Sequence, residues 1–186
     1  MKAIMISVRP KWVCKIVDDK TKKDEIRKGS SLYKAINKLI EEQGVAPMLI
    51  YCTKEYQGSR HVPTYYLNGK VVARFNATAE EFPLEDLDDY NNDDIFIANS
   101  CLTVEEMRNY FNHILGEDGY GYVIHINDLE IFDKPKEINE FKTKLHIKGG
   151  CKNCPQNTGL SMSYCKNCDF LLPLTRAPKS WCYIEV

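Results

Sequence analysis

The sequence predicts an α+β fold: a small mixed β-barrel with peripheral helices and a zinc knuckle. Three observations carry this. Strand-like runs at 2–8, 48–53, 120–132 and 181–185 are interrupted by helical patterns rather than alternating regularly with them. Two amphipathic stretches, at 31–43 and from residue 103 onward, show the apolar spacing of surface helices. Finally, Cys151, Cys154, Cys165 and Cys168 form a C-x2-C-x10-C-x2-C array.

Two close thiol pairs across a short loop can place four sulfurs at the corners of a tetrahedron, as structural zinc requires. The pairs are near-repeats, CKNC and CKNC, and Lys152 and Lys166 would offset part of the thiolate charge. The segment 149–169 holds few large apolar residues, so metal binding would supply the stability it lacks, on the order of 10 kcal/mol. The competing reading is two disulfides or free thiols. A closed four-sulfur shell concerns architecture and leaves no open position for a substrate.

The first strand is Lys2 to Val8, followed by Pro10 in the first turn of a short helix. Trp12 with Ile16 and Val13 with Val17 pair at i,i+4 on that helix. Residues 22–28 return as an extended segment with Ile26 inward. Ser31 can cap a second helix with Leu32, Ala35, Ile36, Leu39 and Ile40 on one face, ended by Gly44. Residues 48–53 form a continuous apolar run, which predicts a central strand. Asn68-Gly69 between strand-like runs predicts a hairpin over 65–75. The acidic stretch 79–94 reads as loop. Thr103-x-x-Glu106 is a capping box opening a helix whose apolar side carries Val104, Met107, Tyr110, Phe111, Ile114 and Leu115. Residues 120–132 read as a strand broken at Asn127-Asp128. Pro135 begins a helical turn toward Phe141, and 181–185 is the last strand.

The chain has 186 residues, enough for one domain with a proper core. Its start meets charge at Arg9, unlike a signal peptide, and no apolar stretch approaches membrane-spanning length. Eight cysteines without an export signal imply a reducing, cytoplasmic setting. Cys14, Cys52, Cys101 and Cys182 sit in apolar surroundings as buried free thiols. The net charge of -1 hides an asymmetry. Residues 1–35 carry ten Lys/Arg against four acids, and 77–118 carry one Arg against twelve acids. A basic surface from both chain ends could attract a phosphate-bearing ligand; the alternative is two solvated charged faces. Overall neutrality excludes tight, sequence-blind coating of nucleic acid.

Chemistry concentrates at Lys22-Lys-Asp-Glu25-Ile-Arg27. In an extended segment Lys23, Glu25 and Arg27 share one face, with Lys22 at the edge. A lysine, a carboxylate and a guanidinium so placed perturb one another and can bind a planar polar group. The bland alternative is a charged outer strand face. The four histidines, His61, His113, His125 and His146, lack metal spacing, and His113 and His125 read as structural.

The elements MISVRPKWVCKIV, K-x-x-E-I-R-K, the strand ending YCTK, GKVVARF and LTRAPKSWCYIE together resemble an ASCH domain of the PUA-like superfamily. The type is that commonly encoded by phages and mobile elements of low-GC bacteria. The resemblance covers about half of the chain. It implies a single PUA-like domain over 1–186, with a helical insertion at about 30–44, an acidic insertion at about 77–118 and the zinc knuckle at 149–169. It further implies a cleft beside the first helix and a ligand that is RNA or a modified nucleotide or nucleoside. Small relatives of this type remove the acetyl group of N4-acetylcytidine with a lysine and a threonine in this motif and a later glutamate. Lys22 matches the lysine; Glu25 takes the threonine's place, and Asp18-Asp19 stand where a glycine is usual.

The candidate cleft is therefore walled by Arg9, Trp12, Lys22, Glu25 and Arg27, floored by Thr53 and Lys54, and covered by Arg176, Ser180 and Trp181. Trp12 or Trp181 could stack on a base, and Arg9 or Arg176 could hold a phosphate or base edge; both tryptophans also suit burial in the core. Three functions remain open. The first is binding of RNA or a modified nucleotide in a polar cleft. The second is hydrolysis, by an N4-acetylcytidine amidohydrolase-like or ribonuclease activity, with Lys22 as base or nucleophile and Glu25 as its partner. The third is a phage-encoded protein that sequesters a host factor through the acidic stretch.

Overall fold

The computed structural model describes residues 1–54, 67–91, 93–111, 119–144 and 171–186. In chain order the elements are β1 (Lys2–Val8), α1 (Pro10–Val17), β2 (Asp24–Lys28), α2 (Ser30–Gln43), β3 (Pro47–Cys52), β4 (Val71–Pro83), α3 (Ile95–Ser100), α4 (Val104–Phe111), β5 (Tyr120–Lys136), β6 (Lys142–Lys144), β7 (Leu171–Pro173) and β8 (Trp181–Glu185). Short 3-10 turns lie at Glu85–Asp88 and Ile138–Glu140. The four cysteines of the array and the whole of 149–169 lie outside the described residues.

The eight strands form one sheet in the order β2-β5-β4-β3-β1-β8-β6-β7. The α+β class is as the sequence predicts, but the sheet is open, which corrects the expected barrel. A barrel needs a hydrogen-bonded ladder between its end strands. Among the described residues β2 pairs only with β5, and β7 only with β6.

The continuous apolar runs of β1 and β3 arise because both faces of the sheet centre are covered. Ile4, Ile6 and Val8 join Met48, Ile50 and Cys52 in one core beneath α1 and α2. The alternate residues Ala3, Met5, Leu49 and Tyr51 enter a second core with Phe141 and Ile184 on the opposite face. A third core gathers Ile26, Phe82, Ile97, Met107, Phe111 and Val123 where α3 and α4 lie over the β2 end. The two chain ends meet, since β1 pairs antiparallel with β8 from Lys2↔Glu185 to Ile6↔Trp181.

Several local expectations change. The second helix starts at Ser30 with Gly29, φ 74°, as its N-cap, so Ser31 is not the cap; Gly44 ends it at φ 79° as predicted. Residues 65 and 66 of the expected hairpin lie outside the described residues; β4 pairs antiparallel with both β3 and β5, and Gly69 N–H donates to the Cys52 carbonyl where the chain enters β4. The stretch 79–94 is not simply loop. Ala77 and Phe82 are buried along β4 while Thr78, Glu80 and Glu81 are exposed, so strand structure extends to Pro83 despite the acids. Strand β5 runs through Pro135 to Lys136, and the helical turn comes only at Ile138. The break at Asn127-Asp128 is real: Asp128 has φ 52° and the β4–β5 register shifts between Arg74 and Asn76. Of the four thiols outside the array only Cys52 is fully buried; burial pushes the pKa of Cys14 and Cys182 up, which makes them poor nucleophiles. No described helix is long and apolar enough to cross a membrane.

The capping box forms as read: Glu106 N–H donates to Thr103 Oγ1 and Thr103 N–H to Glu106 Oε2, both at 3.0 Å. Thr103→Ala should lower stability by about 1 kcal/mol, visible as a lower urea midpoint at unchanged slope.

Candidate functional site

Strand pairing decides which way the charged segment faces. Glu25 lies opposite Ile124 and Ile26 opposite Val123 on β5. Ile124 belongs to the core under α1, and Val123 to the core under α3 and α4. Directly opposed residues of an antiparallel pair share a face. Glu25 and Arg27 therefore point inward beside α1. They are not on a solvated outer face.

The three charges form one buried network. Glu25 Oε2 is 3.3 Å from Lys22 Nζ, and Glu25 Oε1 is 2.9 Å from Arg27 Nη2. Lys22 and Glu25 are only 4% and 8% exposed. Lys22 Nζ also donates to the carbonyls of Asp24 and Ser100 at 2.7 Å each, so it combines two hydrogen bonds with the Glu25 ion pair. Arg27 Nη2 reaches the carbonyl of Ser7 at 2.9 Å, and Nη1 lies 3.5 Å from Ser180 Oγ. Arg27 thus ties the end strand β2 to the end of β1, an interior strand flanked by β3 and β8. Its Nε is a buried donor without a partner among the described residues.

A histidine supports this strand from its other face. His125 Nδ1 is 2.8 Å from Asp24 Oδ1 and Nε2 is 3.1 Å from Glu80 Oε1. The structural role expected for His125 is this staple across β2, β5 and β4.

The remaining candidates divide. Trp12 is half-buried against the core, 5.1 Å from Lys22 Nζ at its ring centroid. Ser180 joins through Arg27, and its carbonyl accepts from Ser7 N–H. Arg9 is exposed at the start of α1. Trp181 packs on the core and donates from Nε1 to Ser31 Oγ at 3.4 Å, so its ring is held in place. Thr53 follows β3 with its N–H on Val8, which places it at the same sheet end as Arg9. Lys54 is exposed, its stem over Gly69, where an added Cβ would lie 2.7 Å from Lys54 Cε. Arg176 is exposed, and no hydrogen bond or ion pair joins it to the network among the described residues.

The sequence reading missed Tyr110 as a site residue. Assigned to the apolar side of its helix, Tyr110 is 38% exposed instead, while Val104, Met107 and Phe111 are buried. Burial of its hydroxyl pushes the pKa up, with smaller opposing effects of Arg27, which lowers it, and Glu25, which raises it. Lys28 Nζ lies 4.4 Å over its ring. The available signal was spacing: Tyr110 falls one turn after Glu106, whose carboxylate is 3.8 Å from Lys11 of α1.

No family model matches the chain, and no curated protein does. Among solved structures the chain is similar to ASCH from Zymomonas mobilis, at 15% identity over 74% of this chain and 75% of that one, with a TM-score of 0.45. A point mutant of that protein gives 15%, 75%, 78% and 0.47. The N-terminal domain of McrB from Staphylothermus marinus gives 13% identity over 74% of this chain and 77% of that one, with a TM-score of 0.43. None of these overlaps is close, and the site stands on the strand pairing and side-chain geometry above.

Glu25 is the shared counter-ion of two cations. Glu25→Gln should therefore destabilise by about 3–5 kcal/mol, more than Lys22→Met, which leaves the Glu25–Arg27 pair intact. Urea denaturation of both variants gives the order, and the reverse order contradicts the network.

Proposed function

We propose that this protein binds RNA or a modified nucleotide or nucleoside in the polar cleft between α1, β2 and α4. The observation that carries the reading is Arg27. A guanidinium held by Glu25 and the Ser7 carbonyl is fixed in orientation, yet among the described residues its Nε has no partner and its Nη1 has only the 3.5 Å contact with Ser180 Oγ. An unpaired buried donor costs about 1–3 kcal/mol, and the 15% of the Arg27 side chain that stays exposed is the part a ligand would meet. The basic side chains of Arg9, Lys11 and Lys28 around this mouth favour an anionic ligand. Glu25 retains lone pairs for an amino group, and Trp12 offers a stacking face.

Binding is favoured over hydrolysis because Lys22 Nζ is buried, donates to two carbonyls and pairs with Glu25. A base or nucleophile needs a free lone pair, and Lys22 would first have to leave two carbonyls and a carboxylate.

The zinc reading is supported by the neighbouring strands. Lys144↔Leu171 is a paired position of β6 and β7, so the two ends of the cysteine-bearing segment are held side by side. Cys151, Cys154, Cys165 and Cys168 would hold the metal as thiolates in a closed, structural shell. Metal analysis of the purified protein should find about one zinc per chain, lost in a variant lacking Cys151 and Cys154. Metal-free wild-type protein contradicts this.

The function itself is tested with a mixture of the four 5′-mononucleotides in isothermal titration. The wild type should bind. Arg27→Lys, which keeps the charge but loses the planar fork, should bind about tenfold more weakly while remaining folded. Absence of nucleotide binding, or equal binding by Arg27→Lys, overturns the reading.

A further inference from the structure

We infer that the cleft accepts two successive nucleotides of a single strand, one base on Trp12 and the next on Tyr110, with Lys11 and Lys28 serving their phosphates. This deepens the function proposed above and rests on it.

Trp12 stands on α1 above Lys22. Tyr110 stands on α4, with its hydroxyl in the field of Arg27, Glu25 and Arg9. The contact of Lys11 with Glu106 joins the two helices, and Tyr110 follows Glu106 by one turn. An aromatic ring with a lysine over it thus stands on each of the two helices that the Lys11–Glu106 contact joins.

Each ring carries a lysine in the same way. Lys11 Nζ lies 4.4 Å from the Trp12 centroid, and Lys28 Nζ 4.4 Å from that of Tyr110. An ammonium over an exposed ring occupies the face on which a base would stack. It is weakly held there, since exposed cation–π contacts and the exposed Lys11–Glu106 pair each contribute little. A stacking base displaces the lysine, and the displaced ammonium is then a flexible point charge at the distance of that nucleotide's phosphate. A single nucleotide uses one such ring–lysine unit. Two units on the two joined helices fit a ligand with two bases and two phosphates.

Isothermal titration with mixed 5′-mononucleotides and mixed 5′-phosphorylated dinucleotides, in ribose and deoxyribose forms, tests this. Dinucleotides should bind the wild type about tenfold more tightly than mononucleotides, with a steeper salt dependence. Tyr110→Ala should bring that ratio to about one, Tyr110→Phe should keep it, and Lys28→Ala should reduce the dinucleotide salt slope by about one. Either sugar satisfies the inference, and the tighter one assigns RNA or DNA. Equal affinity for both lengths, or a ratio that survives Tyr110→Ala, overturns it. Mononucleotide binding that needs Arg27 but shows no gain with length leaves the proposed function standing and removes this inference. No binding of either length removes both.

Discussion

Glu25 between Lys22 and Arg27 is the constraint on which the rest of the structure depends. Removing one carboxylate and two cations from water is costly, and only close pairing with further hydrogen bonds offsets it. The chain supplies those bonds from four places: the carbonyls of Asp24, Ser100 and Ser7, and the hydroxyl of Ser180. Satisfying the charges therefore fixes the turn after α1, the end strand β2, the end of α3, the end of β1 and the approach to β8 relative to one another. Hydrophobic burial would not by itself select this arrangement, because β2 contributes one core side chain, Ile26.

The same network holds the end strand of the open sheet. This strand of five residues is paired on one side only among the described residues. Arg27 ties it to the end of β1, while His125 staples the strand to β5 and β4 from behind. A tie made of donors differs from a backbone ladder in one functional respect. It leaves Arg27 Nε without a partner among the described residues.

The sequence made the sheet centre legible, because β1 and β3 are continuous apolar runs with both faces covered. It also revealed the Lys22–Glu25–Arg27 cluster, through an extended segment rich in charge. Its inward orientation was not legible. That depends on the register Glu25↔Ile124 with a strand about a hundred residues away, and composition alone suits an outer face equally well. Tyr110 was hidden for a similar reason: one position along α4 separates it from buried Phe111, and only the placement of α1 opposite α4 distinguishes the two. The acids of 79–83 read as loop because no alternation marks the strand there: Ala77 and Phe82, five residues apart, serve cores on opposite faces with exposed acids between them.

Amide hydrogen exchange on Arg27→Met tests most directly whether the guanidinium ties the end strand to the molecule. If it does, protection should fall together at residues 22–28 and 5–9, while 47–52 and 71–77 keep theirs, because proteins open in cooperative local units and only the unit held by Arg27 is weakened. Unchanged protection at 22–28, or an equal loss across every strand, would show that β2 is held by its ladder to β5 alone.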